Sequence, residues 1–475
     1  MRLPRRAALL AAALALAGQA LAADRPEPGR QGESMPGETG VVLPVPYSKG
    51  VTRIGHELIR GRDSNVQLAW SGHCAYVSST GGPFPIIGIK GGDEALLGTA
   101  VIDVRNPRGP QLTRILREPG ALSAAEAIHA VDAPGRRVLA VGNYFGGPAA
   151  AGTSGGHDPH AGQPAWLAIY DLSNCANPRL MAQVQWPENA HSLRISPDGR
   201  LVYGTNLSPF DGKGGVQVMD ISDMSRPRFV GKFGATRPDG STFEFASHEL
   251  SFSADGRRVY VGVNASLGGD LNKGIKTFPP NKVALGPEGG GIYIFDNSDF
   301  ADRKPDPKLR LISAMPGGGW HSVMPARIGG VPHLVGGSEL GACPGTWPRF
   351  TNIADETRPF IAGEFRLAMN RAENCPPAGA ASGGSSGIVP DPGTATLHFN
   401  DVDSANDTRL GLFNFMWAGL RIVDIRDPAK PAEIGYFKPG DVCTGHVRYI
   451  AKPGGKRGQI WLVCNASGFH VLALN

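Results

Sequence analysis

One short phrase recurs along this 475-residue chain and constrains its fold more than any other feature. Each copy is a run of mostly β-branched and other apolar residues that ends in Asp, followed by one more residue, apolar in four of the five copies, and then by Ser, Arg, Asn, Asp or Pro turn residues. Such a phrase is typical of a short strand that closes in a tight turn. The copies begin at Gly98, Trp166, Gly215, Gly291 and Gly419.

A second pair of strands precedes several copies. The segments that begin at His191 and His248 each contain two apolar runs joined by Asp-Gly, at Asp198-Gly199 and Asp255-Gly256. Because Asp-Gly supplies the positive φ angle that a tight hairpin requires, each repeat is predicted to be four antiparallel strands. Four-stranded units repeated in this way are the blades of a β-propeller.

The fold predicted from these units is all-β, a seven-bladed β-propeller of four-stranded antiparallel blades. An N-terminal strand around 50–56 is expected to pair with 468–474 and to close the ring. The inner strands are expected to begin near Asn65, His129, His191, His248, His321, His398 and His446.

The strand phrase resembles the LVIVD repeat, here as Leu420-Arg-Ile-Val-Asp and Val216-Gln-Val-Met-Asp. The resemblance extends from about Val51 to the C-terminus and implies an exported propeller, without implying an activity. The fifth blade keeps only part of the pattern, in the segment 351–359, so its strand limits are left open.

The first residues have the three-part layout of a secretory signal: Arg2, Arg5 and Arg6, then an apolar run, then Ala20-Leu21-Ala22. Three regions follow: a signal peptide 1–23, a loop-like extension 24–49, and a single propeller 50–475 with long insertions on one face. A periplasmic or secreted location is therefore expected. No other segment reaches the roughly 20 apolar residues of a transmembrane helix.

The net charge and the sequence motifs argue against nucleic acids and nucleotide cofactors as partners. Removal of the three leader arginines lowers the formal net charge from +5 to +2, and no basic cluster is interleaved with aromatic residues, so nucleic-acid binding is not expected. No glycine-rich phosphate loop with Gly-Lys-Ser/Thr is present, and a nucleotide cofactor is not expected either. The chain is expected to be a monomer.

Histidine recurs where the inner strands begin. In an antiparallel blade the start of the innermost strand lies at one mouth of the central channel, so imidazoles from successive blades should meet there. Imidazole is the commonest protein ligand of transition metals, and Cu, Zn, Fe or Mn would suit such a site. The candidate ligands are His191, His248, His321 and His446, with His129 and His398 as further ligands or as catalytic general bases.

Acidic residues shortly before three histidines, namely Glu126, Glu188 and Glu244, are expected to orient imidazoles from a second shell. Asn143, Asn206, Asn264 and Asn465 end second strands at the same mouth. By fold-level analogy, selenium-binding proteins of the methanethiol oxidase type, oligogalacturonate lyases and nitrous oxide reductase carry histidine-bound metals on propellers. None of their full motifs is matched, so no catalytic residue is transferred.

A structural role for the histidines is the alternative. In WD-type propellers a histidine at this connection bonds within its own blade, and the protein would then be a non-catalytic platform for a small molecule, glycan or protein at the loop-rich face. Asn65 in the first blade argues against a purely structural repeat. A third interpretation, a lyase or hydrolase acting on an acidic sugar, relies on Arg60 and Arg62.

Six cysteines in an exported chain are compatible with disulfide bonds. Cys443 and Cys464 fall at one edge of the seventh blade, where a disulfide and thiolate ligation beside His446 are both open. Cys74 and Cys175 fall on the opposite face of neighbouring blades, and Cys343 and Cys375 flank the irregular part of the fifth blade.

Overall fold

The computed structural model describes residues 24–33, 35, 38, 41–81, 94–143, 164–205, 215–263, 291–316, 320–338, 344, 347–375, 395–451 and 458–475. Seven sheets in this part of the chain form seven blades, each with four antiparallel strands. The strands of each blade are called a to d, from the innermost to the outermost. The predicted seven-bladed propeller is confirmed.

The first four blades follow one another along the chain. Blade 1 consists of Asn65–Ser71, Cys74–Ser79, Thr99–Asp103 and Gln111–Leu116. Blade 2 consists of Ile128–Ala133, Arg136–Gly142, Trp166–Asp171 and Arg179–Gln185. Blade 3 consists of Leu193–Ile195, Leu201–Thr205, Val216–Asp220 and Arg228–Phe233. Blade 4 consists of Ser247–Phe252, Arg258–Val263, Gly291–Asp296 and Leu309–Pro316, extended at its outer edge by Ala235–Thr236 and Thr242–Phe243.

The last three blades complete the ring. Blade 5 is regular and consists of Ser322–Ile328, Val331–Gly337, Arg349–Asn352 and Phe360–Glu364. Blade 6 consists of Leu397–Val402, Leu410–Phe415, Gly419–Asp424 and Ala432–Lys438. Blade 7 consists of Arg448–Ile450, Gln459–Cys464, Gly468–Leu474 and, as its outer strand, Val51–Glu57. The few helical turns are Ile59–Gly61, Glu94–Leu96, Pro119–Leu122, Ser298–Ala301, Ala368–Asn370, Ala372–Asn374 and Met416–Ala418.

The N-terminal strand closes the ring as predicted, since Val51–Glu57 pairs antiparallel with Gly468–Leu474. The preceding extension is more ordered than the loop expected from sequence. Tyr47–Lys49 pairs with the outer strand of blade 6, and Glu27 makes two hydrogen bonds of 2.6 and 2.9 Å to the buried Arg421. The extension therefore packs along blade 6. The predicted signal peptide lies outside the described residues.

The hydrophobic core lies between blades rather than at the axis. Each of the seven pairs of neighbouring blades, including the pair of blades 7 and 1, shares a cluster of buried apolar side chains. Removing this surface from water is the main stabilising contribution of such clusters.

The repeated phrase is explained by local geometry. The terminal Asp accepts a hydrogen bond from the backbone N–H two residues later, as Asp171 does from Ser173 at 3.0 Å and Asp220 from Ser222 at 2.8 Å, and this Asx turn ends the strand. Glycine begins the phrase because the carbonyl of the adjacent d strand occupies the space of a Cβ, as Phe437 does at Gly419, where φ is +67°.

Two disulfides tie the ring at different places. Cys74–Cys175 joins blades 1 and 2, and Cys443–Cys464 lies within blade 7. Both pairings were among the sequence predictions, and the second excludes thiolate ligation by these cysteines in the oxidised protein. Cys375 is also disulfide-bonded, while its predicted partner, Cys343, lies outside the described residues. Within the described residues no helix is long and apolar enough to cross a membrane.

Candidate metal centre

Four of the predicted histidines reach the channel by two different backbone routes. His191 lies two residues before strand a of blade 3 and His321 one residue before that of blade 5, and their backbone N–H groups donate to the carbonyls of Thr205 and Gly337 at 3.0 and 2.8 Å. His248 lies instead within a register shift between Ser247 and Glu249, and His398 within one between Leu397 and Asn400. Such bulges re-aim a side chain, and the four rings lie side by side, with centroids 4.2 Å apart for His191 and His248, 4.0 Å for His248 and His321, and 4.2 Å for His321 and His398.

Glu126 occupies the same position in blade 2. The N–H of Gly142 donates to the carbonyl of Ala127, as the N–H of Thr205 donates to that of Ser192 in blade 3. Glu126 is therefore the counterpart of His191, which likewise precedes the paired residue. Sequence reasoning placed His129 at this position and gave Glu126 a supporting role. Aligning the blades by strand pairing instead of by residue type would have found the carboxylate.

The side chains of these five residues converge on one region of the channel. One carboxylate oxygen of Glu126, Oε2, lies 3.4 Å from Nε2 of His191 and 3.6 Å from Nε2 of His321. The other, Oε1, lies 3.2 Å from Nε2 of His398. Nε2 of His191 is 3.0 Å from Nε2 of His248. We call Glu126, His191, His248, His321 and His398 the Glu126 group.

These separations are those of donors around a metal ion. Bonds of about 2.1 Å hold neighbouring donors about 3.0 Å apart in octahedral geometry and about 3.4 Å apart in tetrahedral geometry. Four donor separations in the group run from 3.0 to 3.6 Å, and one donor atom each of Glu126, His248 and His321 lies within 4.8 Å of the others. These three residues are close enough together to bind one metal ion, with His191 and His398 beside Glu126.

The electrostatics of the group favour an ionised carboxylate. Burial alone would raise the pKa of Glu126, but positive charge on His398 and His191 and hydrogen bonds from His191 and His321 outweigh burial and hold the pKa well below its usual range. Glu126 is therefore an anion at neutral pH that is stabilised by positive charge on its neighbours. A metal cation among the imidazoles would provide the same stabilisation.

A backbone contact fixes the orientation of one imidazole. Nδ1 of His398 lies against the carbonyl oxygen of Thr444 in blade 7, 2.5 Å away. Because a carbonyl only accepts hydrogen bonds, Nδ1 carries a proton, and Nε2 faces the carboxylate of Glu126. Metal-binding histidines are commonly oriented by such a contact at the second nitrogen.

The remaining two candidate histidines lie outside this group. His446 contacts Glu249 at 2.9 Å, and Arg194 contacts both His446 and Glu249. We call Arg194, Glu249 and His446 the Arg194 cluster. Nδ1 of His129 accepts a hydrogen bond of 3.1 Å from the backbone N–H of Ile195. The roles of His129 and His446 as ligand or general base stay predictions.

Charges within the Arg194 cluster balance one another. Burial lowers the pKa of Arg194 to about 9, which leaves it cationic at neutral pH beside the carboxylate of Glu249. Burial, together with the charge of Arg194, lowers the pKa of His446 well below its usual range and keeps the imidazole neutral. The cluster is thus a buried ion pair with a neutral hydrogen-bonding partner.

Three other residues that the sequence suggested for the site form ion pairs or hydrogen bonds outside the Glu126 group. Glu188, predicted to support His191, forms an ion pair with Lys232. Arg62, one basis for the acidic-sugar interpretation, is buried and donates to backbone carbonyls that include Val77 at 2.9 Å. Asn465 accepts a hydrogen bond of 3.0 Å from Thr444 within blade 7, whereas Asn206 and Asn264 lie outside the described residues.

Comparison with known families supports the class of protein. The model of the LVIVD repeat matches residues 211–234 and 415–438. These segments contain the c and d strands of blades 3 and 6. The chain is a seven-bladed β-propeller that carries LVIVD repeats.

Solved structures similar to this chain have low sequence identity. Hydrazine synthase of Kuenenia stuttgartiensis is 11% identical with a TM-score of 0.49, over 86% of this chain and 95% of that one. The β-propeller domain of Cps50 (Swd1) from Myceliophteria thermophila is 8% identical with a TM-score of 0.49, over 91% and 100%. A search of curated proteins found no match.

Proposed function

We propose that this protein is an exported metalloprotein that binds one transition-metal ion in the channel of its propeller, through Glu126, His248 and His321, with His191 and His398 beside them as further ligands. The observation that carries the proposal is the convergence of donors from blades 2 to 6, with separations of 3.0 to 3.6 Å.

The donor types indicate which metals fit. Neutral imidazole nitrogens with one carboxylate oxygen suit Fe, Mn, Zn and Cu(II), whereas the absence of thiolate or thioether in the set disfavours Cu(I). A bound ion of this kind supplies Lewis-acid or redox chemistry. The protein contributes a carboxylate from blade 2 that reduces the net charge of the site and histidines held by four further blades.

Export is proposed on two grounds. The first 23 residues have the layout of a secretory signal, and the two described disulfides suit an oxidising compartment. Metal loading would then occur outside the cytoplasm.

Metal analysis of untagged mature protein tests the proposal. The protein is offered equimolar Mn(II), Fe(II), Cu(II) and Zn(II) without oxygen, desalted and measured by inductively coupled plasma mass spectrometry. We expect about one equivalent of one metal per chain, and less than about a tenth of that in the double variant His248→Ala/His321→Ala.

His333→Ala is the matched control, since His333 is also a buried histidine but bonds to Val331 in the b strand of blade 5. It should retain the metal. Absence of stoichiometric metal from the parent protein, or equal loss in the control, would count against a metal centre and favour a non-catalytic platform.

A further inference from the structure

A second group of potential metal ligands lies on the face of the propeller opposite the strand starts that bear the Glu126 group. His73 belongs to the turn between strands a and b of blade 1, and Cys74 is the first residue of strand b. Cys175 belongs to the turn between strands c and d of blade 2. In antiparallel blades both kinds of turn emerge at the same face. The disulfide Cys74–Cys175 therefore joins two neighbouring blades beside an imidazole.

The ligand atoms of these three residues are close together. Nε2 of His73 lies 3.4 Å from Sγ of Cys175, and one donor atom of each residue lies within 4.8 Å of the others. Bonds of about 2.1 Å to nitrogen and 2.3 Å to sulfur hold two such donors about 3.6 Å apart on a tetrahedral zinc ion. The measured separation of nitrogen and sulfur is close to this value. The imidazole therefore lies where an ion shared with the sulfur of Cys175 would require it.

Hydrogen bonds and packing hold the two cysteines in place independently of the disulfide. The hydroxyl of Tyr76 donates to the carbonyl of Cys175 at 2.9 Å, and the N–H of Val104 donates to the carbonyl of His73 at 2.9 Å. Cys74, Tyr76 and Cys175 also pack in the buried apolar cluster between blades 1 and 2. Cleavage of the disulfide would therefore leave both sulfur atoms near the imidazole.

The group opens to the surface at His73. The side chain of His73 is 43% exposed, whereas Cys74 and Cys175 are 0% and 3% exposed. Gly72 and Asn174, the neighbours of the group in the two turns, are exposed as well. Because Nε2 of His73 contacts the sulfur of Cys175, an ion that approaches from solvent meets the imidazole first and the sulfur directly behind it.

We propose that His73, Cys74 and Cys175 form a redox-switched zinc site, separate from the Glu126 group. A dithiol reductant transfers two electrons and two protons to the disulfide: the S–S bond breaks, both cysteines become thiols, and the dithiol becomes a cyclic disulfide. Zn(II) then displaces one proton from each thiol to solvent and is bound by two thiolates and one imidazole. Three protein ligands with water as the fourth are found in open zinc sites. Blades 1 and 2 are thus linked covalently in the oxidised state and by the metal in the reduced state.

Absorption of bound Co(II) tests the proposal, because thiolate ligands give near-ultraviolet charge-transfer bands that imidazole and carboxylate ligands do not. The double variant His248→Ala/His321→Ala, which lacks two ligands of the Glu126 group, is reduced with dithiothreitol, desalted without oxygen and titrated with Co(II). The reduced protein should gain a thiolate band that saturates at about one equivalent per chain, and the oxidised protein should not.

Further variants in the same background assign the ligands. Cys175→Ser should abolish the band. His73→Ala keeps both thiols and should lower the affinity for Co(II) at least about tenfold, since even outer partners of a ligand contribute that much. His56→Ala, at a half-buried histidine in the outer strand of blade 7, is the matched control and should leave the affinity unchanged.

Three results would overturn the proposed zinc site. They are a thiolate band absent from the reduced protein, a band retained in Cys175→Ser, and equal affinities of His73→Ala and His56→Ala for Co(II). Because His73→Ala leaves both cysteines intact, it remains decisive even where Cys175→Ser does not fold. The three results concern residues outside the Glu126 group and leave the metal site in the channel untouched.

Discussion

The channel contains two buried polar groups that differ in how their charges are balanced. In the Arg194 cluster, one guanidinium faces one carboxylate and a neutral imidazole, so the cluster is complete without any added ion. In the Glu126 group, one carboxylate faces several imidazoles whose donor atoms converge. Burial is the same in both groups. The arrangement of donors decides that one is a structural ion pair and the other a candidate metal site.

The largest effect is expected from Arg194→Met. It leaves the carboxylate of Glu249 buried without its cation, and removal of one partner of a buried pair costs about 3 to 5 kcal/mol. Urea denaturation of the apo protein measures this loss in the free energy of unfolding. The double variant Arg194→Met/Glu249→Gln should recover most of it. A loss below about 1 kcal/mol in the single variant would show that the pair is not a structural unit.

Glu126→Gln should have the next largest effect, and on metal binding rather than folding. The amide keeps the size of the side chain but lacks the negative charge, so metal affinity should fall by at least about 100-fold, or about 2.7 kcal/mol. Competition with a chelator of known affinity measures the change. Glu188→Gln is the matched control because Glu188 pairs with Lys232. Equal affinities for the two variants would remove Glu126 from the site.

The free energy of unfolding should depend on pH through His446 of the Arg194 cluster. The folded-state pKa of His446 is held below its unfolded value of 6.5 by burial and by Arg194, so the unfolded chain takes up the proton first. The contribution of His446 is therefore complete above about pH 6.5. It falls by about 1.4 kcal/mol per pH unit as the pH drops towards the folded-state pKa.

Denaturation at several pH values between 7 and 5 checks this dependence in the parent protein and in His446→Gln. The variant should show a shallower fall, because one histidine that must be neutral in the folded state has been removed. An unchanged slope would mean that His446 does not titrate on unfolding in this range.

The smallest effect is expected from His129→Gln. Its ring nitrogen accepts a hydrogen bond from Ile195, outside the Glu126 group, and sites without shared partners act nearly independently. Metal affinity should change by less than about twofold in the same chelator competition. A loss comparable to that of Glu126→Gln would extend the metal site to His129.

The propeller architecture could be predicted because the residues that start and end each strand interact over short distances in the chain and recur in successive blades. Asp220 ends its strand through a hydrogen bond to Ser222, only two residues away, and the same Asx geometry recurs from blade to blade. The pairing register between the strands of a blade is harder to predict, because it depends on contacts between strands and not on neighbouring residues in the chain. His248 and His398 reach the axis only because their strands contain register shifts, and no single residue type announces such a bulge.

Membership in the site therefore depended on more than residue identity. His129 matched the repeated histidine by type, yet the pairing of Ala127 with Gly142 gives its position to Glu126. His446 also matched, but Arg194 and Glu249, from blades 3 and 4, hold it in a different cluster. Side-chain contacts between residues more than fifty positions apart in the chain produce no periodic pattern in the sequence.

The sequence by itself determined the blade number and the closure by the N-terminal strand, because strand patterning and turn chemistry act over a few residues. Only the tertiary structure decided which donors converge, because ligand distances depend on bulges and on ladder register summed across five blades. A shift of one residue turns a side chain to the other face of its strand. Such a shift in pairing does not alter the repeated sequence pattern, so the pattern cannot reveal it.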